Sequence, residues 1–216
     1  MQIYKALSVM LLYPETDWLE ELPLLQSIFA EQAVWQDAMQ PLCHYLGATP
    51  LIRLQEAYVM TFDRTPSHSL HLFEHIHGES RDRGQAMVDL MEEYKKHGLQ
   101  MQANDLPDYV PLFLEFLAQL PPADAEAFLK DAIHVLAHIG RKLASNGSPY
   151  AGVFAVLEQL CPIPAEVLTE PPVRDMDEAL ETFGPGADGI EPLLKAMPAA
   201  IQTVNFYPHG EMPHAH

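Results

Sequence analysis

Cysteine is scarce in this chain, with only Cys43 and Cys161 among 216 residues. Two cysteines cannot build a disulfide framework, and they form no CxxC metal pair. Each reads as a small apolar core residue on a helix. Basic side chains are also few: 12 Lys and Arg stand against 30 Asp and Glu, for a formal net charge of −18. A surface of that sign repels phosphate backbones and anionic lipid headgroups, which argues against nucleic acid and direct membrane binding. It favours a cationic partner. No apolar run reaches the length of a membrane span. The opening MQIYKALSVMLLYP has one lysine and meets a proline too soon for a secretion signal, so a cytoplasmic location is expected.

Catalytic signatures are missing too. There is no GxSxG elbow, P-loop, GxGxxG turn, HExxH pair or EF-hand loop. Alternating runs long enough for a strand are absent as well, and no internal repeat is visible. What remains is helical periodicity, so the expected fold is all-α, a single compact multi-helix bundle. Its stripes run from Ile3, Leu7, Met10 and Leu11 through to the segment 149–160. Pro41 falls inside the stripe of Trp35, Met39, Leu42 and Leu46, where a kink or break is expected. Thr49-Pro50 reads as a helix cap with proline at the first helical position. Gly98 and Asn146-Gly147 read as helix ends. After Cys161 the chain turns rich in proline and glycine. Residues 1–162 are therefore expected to form the bundle and 163–216 an acidic, partly disordered tail, helical at most around 176–183 and 190–197.

One connector differs from an ordinary linker. Between the patterns ending at Phe62 and starting at Met87 lie His68, His71, Phe73, Glu74, His75, His77, Glu79, Arg81, Asp82 and Arg83. Such density of polar and aromatic groups suggests a binding surface. His71 with His75 at i, i+4, beside Glu74 and His77, also raises a metalloenzyme alternative. Pro66 and Gly78 bracket that set closely and no cysteine lies near, so no metal site is expected.

The residues LFEHIHGESRDRGQAMVDL at 72–90 closely resemble the signature of the nitrate reductase molybdenum-cofactor assembly chaperones of NarJ type, a branch of the TorD/DmsD-like maturation proteins. The likeness continues in YVMTFDR at 58–64, in HGLQ from His97, and in LPDYVPLFLEFLAQLP ending at Pro121. It implies a non-catalytic chaperone without a cofactor of its own. The implied partner is the catalytic (alpha) subunit of a respiratory nitrate reductase, bound at its N-terminal segment, with molybdenum-cofactor carrier proteins as further candidates. Asp108, Leu114 and Phe116 match the wider TorD/DmsD pattern, while Tyr109 and Phe113 depart from it in the manner of the nitrate reductase branch. The density of polar residues in the connector, taken together with the resemblance, gives Phe73, Glu74, His75, His77, Glu79, Arg81, Asp82, Arg83, Asp108 and Glu115 as partner-binding candidates. Tyr58, Phe62, Tyr109 and Phe113 are expected to shape a groove. Arg81 and Arg83 are expected at the surface, and Leu90 in the core.

Overall fold

The computed structural model describes residues 2–77, 81–101 and 106–168. Among them the architecture is helical: α1 (Gln2–Met10), α2 (Thr16–Glu20), α3 (Leu22–Phe29), α4 (Ala33–Ala48), α5 (Leu51–Tyr58), α6 (Glu74–His77), α7 (Arg81–Lys96), α8 (Val110–Gln119), α9 (Pro122–Ser145) and α10 (Ala151–Leu160). A π-helical turn, Val59–Asp63, extends α5, and a 3-10 turn follows at Pro66–His68. The all-α expectation holds.

The core gathers around α9, a helix of 24 residues and therefore about 36 Å long. Ala125, Leu129, Ile133, Leu136, Ile139, Gly140 and Leu143 form its buried stripe at three- and four-residue spacing. α10 lies along α9 and also against α4, α8 covers another side of α9, and α1 packs on α8. Two glycines permit the closest approaches. A methyl group at Gly152 would overlap the Ala38 carbonyl oxygen of α4, and one at Gly140 would stand 2.6 Å from Phe154 Cβ. A buried hydroxyl adds specificity between α1 and α8: Ser8 Oγ donates to the Pro111 carbonyl at 2.7 Å.

Helix ends follow their residues. Gly98 and Gly147 adopt positive φ, 79° and 68°, after α7 and α9 respectively. Two expectations need correction. α4 does not break at Pro41; the proline sits on the exposed side, where water can serve the carbonyl it leaves unpaired, while Met39 and Leu42 anchor the helix on the core. Thr49 makes no side-chain cap, because Pro50 occupies the cap position with extended backbone and Leu51 starts α5.

Beyond Cys161 the chain stays attached for a few residues. Ala165 and Leu168 pack against the core, and the Glu166 amide donates to His134 Nδ1 of α9 at 2.9 Å. Residues 169–216, with the segments 176–183 and 190–197, lie outside the described residues.

Candidate partner-binding site

The connector is pinned to the start of α8 by backbone first. His71 and Tyr109 form an isolated antiparallel bridge. The Val110 amide donates to the Leu70 carbonyl at 2.8 Å, and the Leu72 amide to the Asp108 carbonyl at 3.0 Å. This pairing carries the Asp108 side chain beneath the connector, where it is 0% exposed.

A buried carboxylate requires donors. The Phe73 amide supplies one to Oδ2 at 3.2 Å, and His71 Nδ1 lies 3.3 Å from Oδ1. Arg83 Nη2 stands 3.9 Å from Oδ2 and donates to Glu74 Oε1 at 2.9 Å. Ser69 Oγ donates to the other oxygen of Glu74. Burial alone would raise the Asp108 carboxyl. The His71 hydrogen bond and charge, the Phe73 amide and the Arg83 guanidinium outweigh it and hold Asp108 below the usual carboxylate range. Arg83 Nε is buried without a hydrogen-bond partner.

Two histidines of the connector, His68 and His75, face α9 and the turn that ends it. Asn146 Nδ2 donates to His68 Nε2 at 2.8 Å, which leaves His68 Nδ1 to donate to the Thr61 carbonyl at 3.0 Å. His75 Nε2 bonds the Ser69 carbonyl at 2.9 Å, and its ring meets that of His138 at 5.8 Å. Burial lowers the His75 pKa, against the Ser69 bond and the Glu74 and Asp108 charges, which favour the imidazolium. His71, Glu74, His75 and His77 thus point to different partners, and no group of three metal-ligating side chains is assembled among the described residues.

The candidates therefore divide. Phe73, Glu74, His75 and His77 come together with Asp108 and Arg83 in one hydrogen-bonded patch, with Phe73 packed at the core edge beside the His77 ring. Asp82 is exposed on the first turn of α7. Glu115 lies apart, pairing with Lys5 of α1 across the α1–α8 seam. Glu79 lies outside the described residues, and Arg81 is placed only as the first residue of α7. Arg83 departs from the expected exposed side chain: at 18% side-chain exposure it faces inward, because Glu74 and Asp108 are its partners. Asp108 is likewise an internal tie between connector and α8.

The groove-shaping set is also internal. Tyr58, Phe62 and Phe113 are buried in the core. Tyr58 OH donates to the Leu11 carbonyl at 2.8 Å and lies 3.3 Å from Tyr109 OH, while Phe62 packs edge-on against Tyr150 at 4.9 Å. Tyr109 is half-buried beside His71. Open clefts lie elsewhere: one of about 510 Å³ between α3 and α4, floored by Phe29 and Met39, and one of about 210 Å³ after α7. Ser69, Asn146 and Tyr94, whose hydroxyl donates to the Pro107 carbonyl at 2.7 Å, join His68 in the framework, and nothing in the sequence marked a site role for these three. Only their partners, distant along the chain, reveal their role.

Among the described residues the molecule is a helical bundle whose connector is clamped by a buried carboxylate, its polar groups occupied in holding the surface in shape. The model of the nitrate reductase delta subunit family matches residues 30–156, and the chain belongs to that family. It is 52% identical over 106 residues to the nitrate reductase molybdenum cofactor assembly chaperone NarJ of Escherichia coli K12, covering 49% of this chain and 45% of that protein. It is 41% identical over 161 residues to the probable assembly chaperone NarW of the same strain, covering 74% and 68%. Against the probable NarJ of Bacillus subtilis 168 the identity is 30% over 157 residues, covering 71% and 85%. The chain thus spans a little under half the length of the E. coli NarJ it matches. Among the described residues no helix is long and apolar enough to cross a membrane.

Proposed function

We propose that this protein is a dedicated chaperone, not an enzyme, for the catalytic subunit of a respiratory nitrate reductase. It binds the N-terminal segment of that subunit before the molybdenum cofactor is inserted, and holds the subunit until cofactor insertion and membrane assembly are complete. Membership of the delta-subunit family across residues 30–156 carries this reading, and the net charge of −18 agrees with a basic partner segment. Recognition is of the helix-in-groove kind: apolar side chains of the partner anchor, and acidic residues at the rim attract its basic ones. Release follows when cofactor insertion removes the binding-competent form of the partner.

Co-purification tests it. The tagged chain is expected to capture the cofactor-free catalytic subunit and to release it once the cofactor is loaded. Equal capture of both forms, or of neither, overturns the proposal.

A further inference from the structure

α7 looks in sequence like any core helix, yet it is not used as one. Among its residues whose side chains are described, from Asp82 to Lys96, only Tyr94, at 2% exposure, is fully buried. Arg83, Met87, Leu90 and Tyr94 fall at i, i+4, i+7 and i+11, and of these Arg83, Leu90 and Tyr94 meet the body of the protein. Next to that face runs a second, apolar seam formed by Gly84, Val88 and Met91, with Val88 43% exposed and open space above Gly84. The seam leads into the notch of about 210 Å³ walled by Met91, Lys95, Leu99, Gln100 and Met101. Along the opposite margin of the seam lie Asp82, Asp89 and Glu92, all exposed. Asp89 accepts from the neutral Gln85 amide, and Lys96, which pairs with Glu93 at 2.6 Å, also feels the charges of Glu92 and Asp89, so carboxylates outnumber cations along this margin among the described residues.

We infer that this seam and notch are the docking surface for the partner segment, and that the occupant is an amphipathic helix with apolar residues on one face and basic residues along one edge. The inference rests on the chaperone reading above and locates its binding site. Methionine suits the task because an unbranched, polarisable side chain repacks around varied apolar anchors. Lys95, exposed overall, is part of the notch wall, and a lysine can lay its methylene stem along such apolar surface while keeping its charge in water. The three carboxylates fix which way the occupant lies, since its basic edge must face them. The α3–α4 cleft is larger, but its polar lining is Gln26, Ser27, Gln36, Gln40 and His44, and none of these carries the negative charge that a basic helix calls for.

The test is calorimetric titration with a synthetic N-terminal peptide of the reductase catalytic subunit, a scrambled peptide serving as control. Val88→Glu with Met91→Glu is expected to weaken binding about tenfold or more without altering the far-ultraviolet circular dichroism or the melting temperature. Glu92→Lys, at an exposed position, is expected to weaken it several-fold and to flatten its dependence on salt. Gln40→Arg in the α3–α4 cleft should leave affinity unchanged. Binding that survives both α7 variants, or is lost in the Gln40 variant alone, overturns the assignment. If the wild-type chain binds no peptide but captures the cofactor-free subunit, recognition through the N-terminal segment fails. The same α7 variants then decide the docking surface by retaining or losing capture. Should the chain bind neither, the chaperone reading and the surface fall together.

Discussion

α7 and α8 invite comparison because both are amphipathic and adjacent in the chain, and they spend their apolar faces differently. α8 buries Val110, Pro111, Phe113, Leu114, Phe116 and Leu117, between α1 on one side and α9 on the other. α7 is held by the Arg83 ion pair with Glu74 near its start, by Leu90 against the core, and by the Tyr94 hydroxyl on Pro107 near its end, with an apolar seam beside them left open. Similar stripes therefore serve stability in one helix and presentation in the other. What separates them is hydrophobicity, since α8 is apolar almost throughout while α7 carries charged and polar residues along most of its length, together with whether a second element stands opposite.

Alanine scanning offers the strongest test of that contrast. Leu114→Ala removes a fully buried side chain and is expected to cost about 4 kcal/mol in a urea melt. Leu90→Ala, at a half-buried position, should cost about 1 kcal/mol. Equal costs would make α7 a core helix and close the seam. Glycine replacement should change sign between the two regions. Gly152→Ala drives a methyl into the α4 backbone and is expected to destabilise by about 3 kcal/mol. Gly84→Ala meets nothing within 4 Å and should stabilise α7 by about 0.5–1 kcal/mol through helix propensity alone.

The ionic ties sharpen the comparison further. Asp108→Asn leaves the inward-facing Arg83 without its second carboxylate and is expected to cost about 2 kcal/mol. Glu56→Ala, which breaks the exposed Arg53 pair on α5, should cost no more than about 0.5 kcal/mol. The smallest effect concerns acid. Because the folded-state pKa of His75 lies below its unfolded value, its contribution is complete above about pH 6.5 and declines as the pH falls toward the folded value. Asp108, also depressed, keeps its contribution above about pH 4 and loses it only below. A melting temperature followed downward from pH 7.5 should therefore sag first through His75, and His75→Gln should remove that first step while leaving the second. A single fall confined below pH 4 in the unaltered chain would show that the histidine face toward α9 carries no such linkage.

Much of the bundle was legible because helices declare themselves locally. The stripe of α9, the glycine ends at Gly98 and Gly147, and the start of α8 after Pro107 depend on residues within a turn or two of one another. Of the kink or break expected at Pro41 the break does not occur, because a proline's penalty is local whereas its remedy, solvent on one side and two core anchors on the other, is tertiary. The site was less legible for the same reason. Density of polar residues marked the connector, but Asp108 is buried by groups 35 and 37 residues away, Phe73 and His71. Arg83 reads as a surface charge until Glu74 is folded over it. Likewise the stripe of Met87, Leu90, Met91 and Tyr94 gives no sign of how little of it is covered, since burial belongs to a pair of elements and not to either one.

The π-helical turn at Val59–Asp63 bears on how the chain can vary in length. Such a turn amounts to one residue spliced into an otherwise α-helical run. Removing a single residue there would rotate all that follows by about 100° around the helix axis. Phe62 would then leave Tyr150, and the turn that delivers His68 to Asn146 would start from the wrong side of the helix. Individual side chains in this stretch, such as the exposed Met60, are open to exchange, but the number of residues is not. Insertions and deletions should accumulate elsewhere along the chain, and a relative lacking this extra residue must attach its connector to α9 by other contacts.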